Sequence, residues 1–99
     1  METFNDVINS DQLVLVDFFA TWCQPCKMIH PSLEQVKDVL GERIRIIKVD
    51  VDKYGVTASQ YRIQSVPTLM LFKQGEVLWR TSGVVQEAEL LATIDPFLK

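Results

Sequence analysis

The chain has 99 residues, 47% hydrophobic and 23% charged, with a formal net charge of -3 and a pI near 5.0. Those values describe one compact domain over residues 1–99, long enough to bury an ordinary core without metal or disulfide staples. The acidic balance provides no basic face for phosphates, so nucleic acid and anionic membrane are not expected as partners, and proteins or small thiols fit better.

The N-terminal stretch METFNDVINSDQ has neither the positive start nor the apolar run of a signal peptide, and no segment approaches the length of a membrane span. The expected location is therefore cytoplasmic, unless an export segment has been removed ahead of Met1. Phe4, Val7 and Ile8 are spaced on one face of a short helix, about Phe4 to Asn9. LVLVDFFA, Leu13 to Ala20, is a nearly unbroken run of β-formers, as in a strand covered on both faces. From Pro25 to Leu40 the apolar residues Met28, Ile29, Leu33, Val36, Val39 and Leu40 predict a helix that Gly41 ends. RIRIIKVDV, Arg43 to Val51, predicts a second strand, joined to the first by a right-handed parallel crossover. Asp52 is placed to cap a short helix ending near Tyr61. TLMLFK, Thr68 to Lys73, and VLWRTS, Val77 to Ser82, form an antiparallel hairpin about Gln74-Gly75. A last helix, about Gln86 to Asp95, packs Leu90, Leu91 and Ile94. The sum is an α/β chain with a mixed sheet and helices on both faces.

ATWCQPCK, Ala20 to Lys27, holds both cysteines of the chain. Two thiols this close cannot staple distant elements, so the pair points to chemistry. The thiolate is the attacking form of cysteine, and a free thiol with pKa near 8.5 is a few per cent thiolate at neutral pH. At the first turn of a helix, unpaired N–H groups and the helix dipole stabilise a negative Cys23 sulfur. Pro25 is tolerated there because its missing N–H costs nothing. Cys26, one turn further in, should be the more buried. Cys23 would then attack a substrate disulfide and Cys26 resolve the mixed disulfide, with Asp17 as base. Asp17 is the one carboxylate inside the first apolar strand, where burial would raise its pKa toward that of a proton shuttle. Lys48 on the adjoining strand would tune it. In the alternative, the strand bends so that Asp17 reaches water and Lys48 is merely solvated.

VDFFATWCQPCK, with KVDVDKYGVTASQYRIQSVPTLMLFKQGE and the following GVVQ, resembles the thioredoxin family over essentially the whole chain from Phe4. The resemblance implies a thioredoxin fold, with Cys23 as nucleophile, Cys26 as resolving thiol, Asp17 as the buried carboxylate and Lys48 as its partner. It further implies that Val66-Pro67 is a cis pair facing the disulfide, and that Pro31 kinks the helix. Trp22, Gln24, Pro25, Val66, Gly83 and Val84 would form the substrate surface, Val66 offering backbone hydrogen bonds to an extended chain. The implied partners are proteins carrying disulfides and an NADPH-dependent thioredoxin reductase, since the sequence has no dinucleotide motif and no cofactor is expected.

Three features depart from the family. Gln24 stands where most members have glycine, which leaves the reduction potential open. Phe19 replaces a common tryptophan. No counterpart of the family's usual first strand is expected ahead of Phe4, so the expectation is about four strands with Arg43 to Val51 at the sheet edge, where Arg43 and Arg45 would be charges that discourage pairing. A monomer is expected.

Other readings of these residues are weaker. Tetrahedral zinc wants four ligands, and beyond the cysteines the chain offers only His30; c-type haem needs a histidine where Lys27 stands. His30 reads as a packing or surface residue, Asp50 and Asp52 as a turn and a helix cap, and Trp79 as packing. The functional expectation is a thiol–disulfide oxidoreductase that reduces protein disulfides. The alternatives are a thiol oxidant or isomerase of an oxidising compartment, and a binding module that holds partners without turnover.

Overall fold

The computed structural model describes residues 2–98. In chain order the elements are α1 (Phe4–Ile8), β1 (Leu13–Phe19), α2 (Gln24–Met28), α3 (His30–Leu40), β2 (Ile44–Asp50), α4 (Gly55–Gln60), β3 (Thr68–Lys73), β4 (Glu76–Ser82) and α5 (Glu87–Ile94). The strands form one mixed sheet in the order β2-β1-β3-β4. β2 runs parallel to β1, while β3 is antiparallel to both β1 and β4. Among the described residues β2 is therefore an edge strand, as expected.

Alternation along the central strand explains why β1 reads as a continuous apolar run. Leu13 and Leu15 join Ile44, Leu69 and Leu71 beneath Ile29, Leu33, Val36 and Leu40 of the α2–α3 arm and Leu90 and Ile94 of α5. Val14, Val16 and Phe18 turn to the opposite face, where they meet Val7 and Ile8 of α1 together with Val49, Met70 and Phe72. From Leu13 to Val16 successive side chains thus enter the two cores alternately. On the second face Phe4, Phe18, Tyr61 and Phe72 meet in tilted and edge-to-face contacts, with centroids 5.4 Å apart for Tyr61 and Phe72.

The helix expected from Pro25 to Leu40 is two helices, interrupted at Ile29. Pro31 has no N–H to donate to the carbonyl of Lys27, and its ring crowds that carbonyl, so the ladder breaks there while the apolar periodicity runs on. The expectation for Asp52 also fails. α4 starts at Gly55, its N-cap Tyr54 has no side-chain cap, and the turn before it is built by Asp50, whose Oδ1 accepts from the N–H of Asp52 (2.9 Å). The hairpin turn falls at Gln74 and Gly75, with φ of 52° and 81°. Both are left-handed, as a two-residue turn matched to the strand twist requires. Trp79 is partly buried against the α3–α5 core.

Candidate active site

The end of β1 delivers the chain into the cysteine loop. Cys23 is the N-cap of α2, and its Sγ accepts from the N–H of Cys26 at 3.1 Å. Cys23 and Cys26 are joined as a disulfide, with Cα atoms 5.3 Å apart. Pro25 sits in the first turn of α2, where sequence reasoning places it. Cys23 is 3% exposed and Cys26 1%, so in this oxidised form both sulfur-bearing residues are covered and the expected contrast in burial is slight. Gln24 and Pro25 between them are exposed.

Around the disulfide the surface is apolar. Ala20 packs with the two cysteines, and Phe19, Val51 and Val66 pack against that cluster. The Val66–Pro67 bond is cis, Pro67 is buried and Val66 is half-buried. Gly83 has φ of 96°, a conformation that favours glycine, and its N–H donates to the carbonyl of Pro67 at 2.9 Å. Val84 beside it is exposed. Trp22 is 71% exposed, yet its indole Nε1 donates to Asp52 Oδ2 at 3.0 Å. That contact is the work Asp52 performs in place of a cap, and no local sequence signal announces a partner thirty residues away.

Asp17 is fully buried, and neither carboxylate oxygen has a hydrogen-bond partner among the described residues. The strand does not bend to bring it to water. Burial pushes its pKa from the ordinary 3.8 up to about 6, and the Lys48 ammonium, opposed to it in the β1–β2 register, offsets part of that rise. Lys48 itself is exposed and forms no hydrogen bond to the carboxylate, so it acts through the field alone. His30 opens α3 with its Nε2 buried and unpartnered. Burial holds its pKa below the usual histidine value, helped by Lys48 and opposed by Glu34.

A buried disulfide at a helix start, set in an apolar rim, is an arrangement suited to thiol–disulfide exchange. The thioredoxin family model matches residues 1–96. The chain belongs to the thioredoxin family. A thioredoxin-like protein of Synechocystis sp. is 52% identical over 90% of this chain and 85% of its own length. A thioredoxin of Acidithiobacillus ferridurans is 44% identical over 91% of this chain and 83% of its own. Among solved structures, a thioredoxin-2 described as a component of malaria parasite protein secretion machinery superposes with a TM-score of 0.82 at 33% identity, covering 86% of this chain and 82% of that one. The fold is accordingly the thioredoxin fold, and this thioredoxin is a thiol–disulfide oxidoreductase whose redox centre is Cys23–Cys26.

Proposed function

We propose that this thioredoxin works as a reductant of protein disulfides. The observation that carries the reading is the placement of Cys23 as N-cap of α2, its sulfur already accepting an N–H. In the reduced protein the same N–H and the helix dipole favour the Cys23 thiolate. That thiolate attacks one sulfur of the substrate disulfide, forming a mixed disulfide and expelling the other substrate sulfur as thiolate. Cys26, deprotonated by Asp17, attacks Cys23, closes the disulfide seen here and releases the second substrate sulfur. The substrate gains two electrons and the protein loses two. An external donor restores them, and an NADPH-dependent thioredoxin reductase is the proposed one. Pro67 is proposed to hold the substrate strand against the disulfide.

The surface of Trp22, Gln24, Pro25, Val66, Gly83 and Val84, apolar except at Gln24, suits an extended chain, with Val66 supplying backbone hydrogen bonds. Gln24 and Pro25 add no charge or imidazole beside the sulfurs, which favours a reductant over an oxidant. Electron transfer in a reducing compartment, the cytoplasm, and a monomeric state complete the proposal.

Two measurements test it. Equilibration of the Cys23–Cys26 couple with thiol buffers of known poise, followed by tryptophan fluorescence, is expected near the reference value of about -270 mV for thioredoxin, whereas about -180 to -120 mV would make the protein an isomerase or oxidant. Single-turnover kinetics on Asp17→Asn should show slow resolution by Cys26 with attack by Cys23 spared; unchanged resolution would remove Asp17 from the mechanism.

A further inference from the structure

The loop from Tyr61 to Pro67 brings Val66 to the disulfide, yet it contains no helix or strand. Its head closes α4: the N–H of Arg62 donates to Ser59 and that of Ile63 to Ala58, each at 3.0 Å. These two bonds form the closure in which the residue after the helix turns left-handed, and Arg62 takes that conformation, with φ of 54°, at a position glycine usually fills. Arg80, in the middle of β4, grips the chain at the same point. Its Nη1 donates to the carbonyl of Tyr61, and its Nη2 donates to that of Arg62 at 2.8 Å. The foot of the loop is tied to the same strand. Thr68 Oγ1 donates to the carbonyl of Ser65 (2.7 Å) and lies 3.2 Å from Ser82 Oγ, while the N–H of Gly83, just after β4, reaches Pro67. Arg80 opposes Met70 and Ser82 opposes Thr68, so the two β4 residues project to one face and hold both ends of the loop.

Arg80 is exposed and belongs to neither core, so burial does not account for its geometry. A planar fork across two consecutive carbonyls does. We infer that Arg80 is a positioning residue for substrate recognition: by bridging the carbonyls of Tyr61 and Arg62 it fixes the loop that presents Val66 beside the disulfide. This rests on the proposed reading of the Trp22–Val66 surface as the groove for protein substrates.

The test uses the full chain and the variants Arg80→Ala, Arg80→Lys and Trp22→Ala. Each is assayed for reduction of insulin, as a protein disulfide, and of 5,5′-dithiobis(2-nitrobenzoate), as a small disulfide that needs no groove, with thermal unfolding alongside. Loss of the fork should raise KM for insulin at least about tenfold, while kcat, the reduction potential and the small-disulfide rate stay put. Arg80→Lys should also raise KM, because an ammonium cannot span both carbonyls, and it is the variant to read if Arg80→Ala does not fold. A raised KM in Trp22→Ala with none in the Arg80 variants would overturn the brace and leave the groove standing. Unchanged KM in all three would overturn the groove and the brace with it. An equal loss on both disulfides, or a shifted potential, would show that Arg80 acts on the whole fold and not on recognition.

Discussion

Asp17 illustrates how one residue can be kept against its own stability. An unpaired carboxylate in a fully buried strand position is disfavoured in the folded state, and that is why its pKa moves up to about 6. Between the ordinary value of 3.8 and about 6 the folded chain holds a proton that the unfolded chain has released, so stability falls as pH rises through that window. The penalty is complete above it and absent below the lower value. A shift of this size corresponds to about 3 kcal/mol. Asp17→Asn should therefore raise unfolding stability by roughly 2–3 kcal/mol at pH 7 and leave it nearly unchanged at pH 4, measured by denaturant unfolding of the oxidised protein. Equal gains at both pH values would mean that packing, not ionisation, sets the effect.

At the scale of elements, the α2–α3 break and the β3–β4 turn show two ways in which local chemistry meets tertiary demand. Apolar spacing from Ile29 to Leu40 is continuous because Ile29, at the junction, and Leu33, Val36 and Leu40 of α3 pack into one core, so periodicity alone cannot register the interruption that Pro31 makes. The turn carries the opposite lesson. Gln74-Gly75 is legible as a hairpin signal, but the N–H of Gln74 also donates to Ser10 and that of Gly75 to Ile8 at 2.8 Å, docking the hairpin tip on the α1–β1 connection. A Cβ at Gly75 would run into the Asn9 side chain, at a φ of 81° that side chains rarely adopt. Gly75→Ala should cost about 2 kcal/mol by chemical denaturation, strain and displaced docking combined. A loss below about 0.5 kcal/mol would show that the Asn9 contact yields freely.

At the scale of the whole molecule, the edge of β2 is where a second copy could add a strand. Arg45 on this edge is engaged by Glu2 through two hydrogen bonds, at 2.6 and 2.9 Å. The Arg45 guanidinium holds the Glu2 carboxyl below the usual range, through the hydrogen bond first and its charge second. A symmetric antiparallel pairing of two β2 strands would have to accommodate Arg45 and Lys48 of both copies along one short ladder, which disfavours it. Sedimentation velocity should accordingly show a monomer whose mass does not change with concentration; a stable dimer that dissociates when Ile47 is replaced by Lys would reverse that proposal and identify the edge as its interface.

Much of this was decided by the sequence alone. The run Leu13 to Phe19 with one carboxylate in it, the cysteines flanking Gln24-Pro25, the turn at Gln74-Gly75 and the succession of strands and helices all follow from local propensity, alternation and spacing, because each depends on neighbours along the chain. The tertiary structure alone decided that Asp17 has no hydrogen-bond partner, that Asp52 serves Trp22 and not α4, and that Arg80 grips the loop before Val66. The physical reason is common to the three. Desolvation and side-chain hydrogen bonds are set by whatever the fold brings close, and a polar residue in sequence carries the capacity for a contact without the address of its partner.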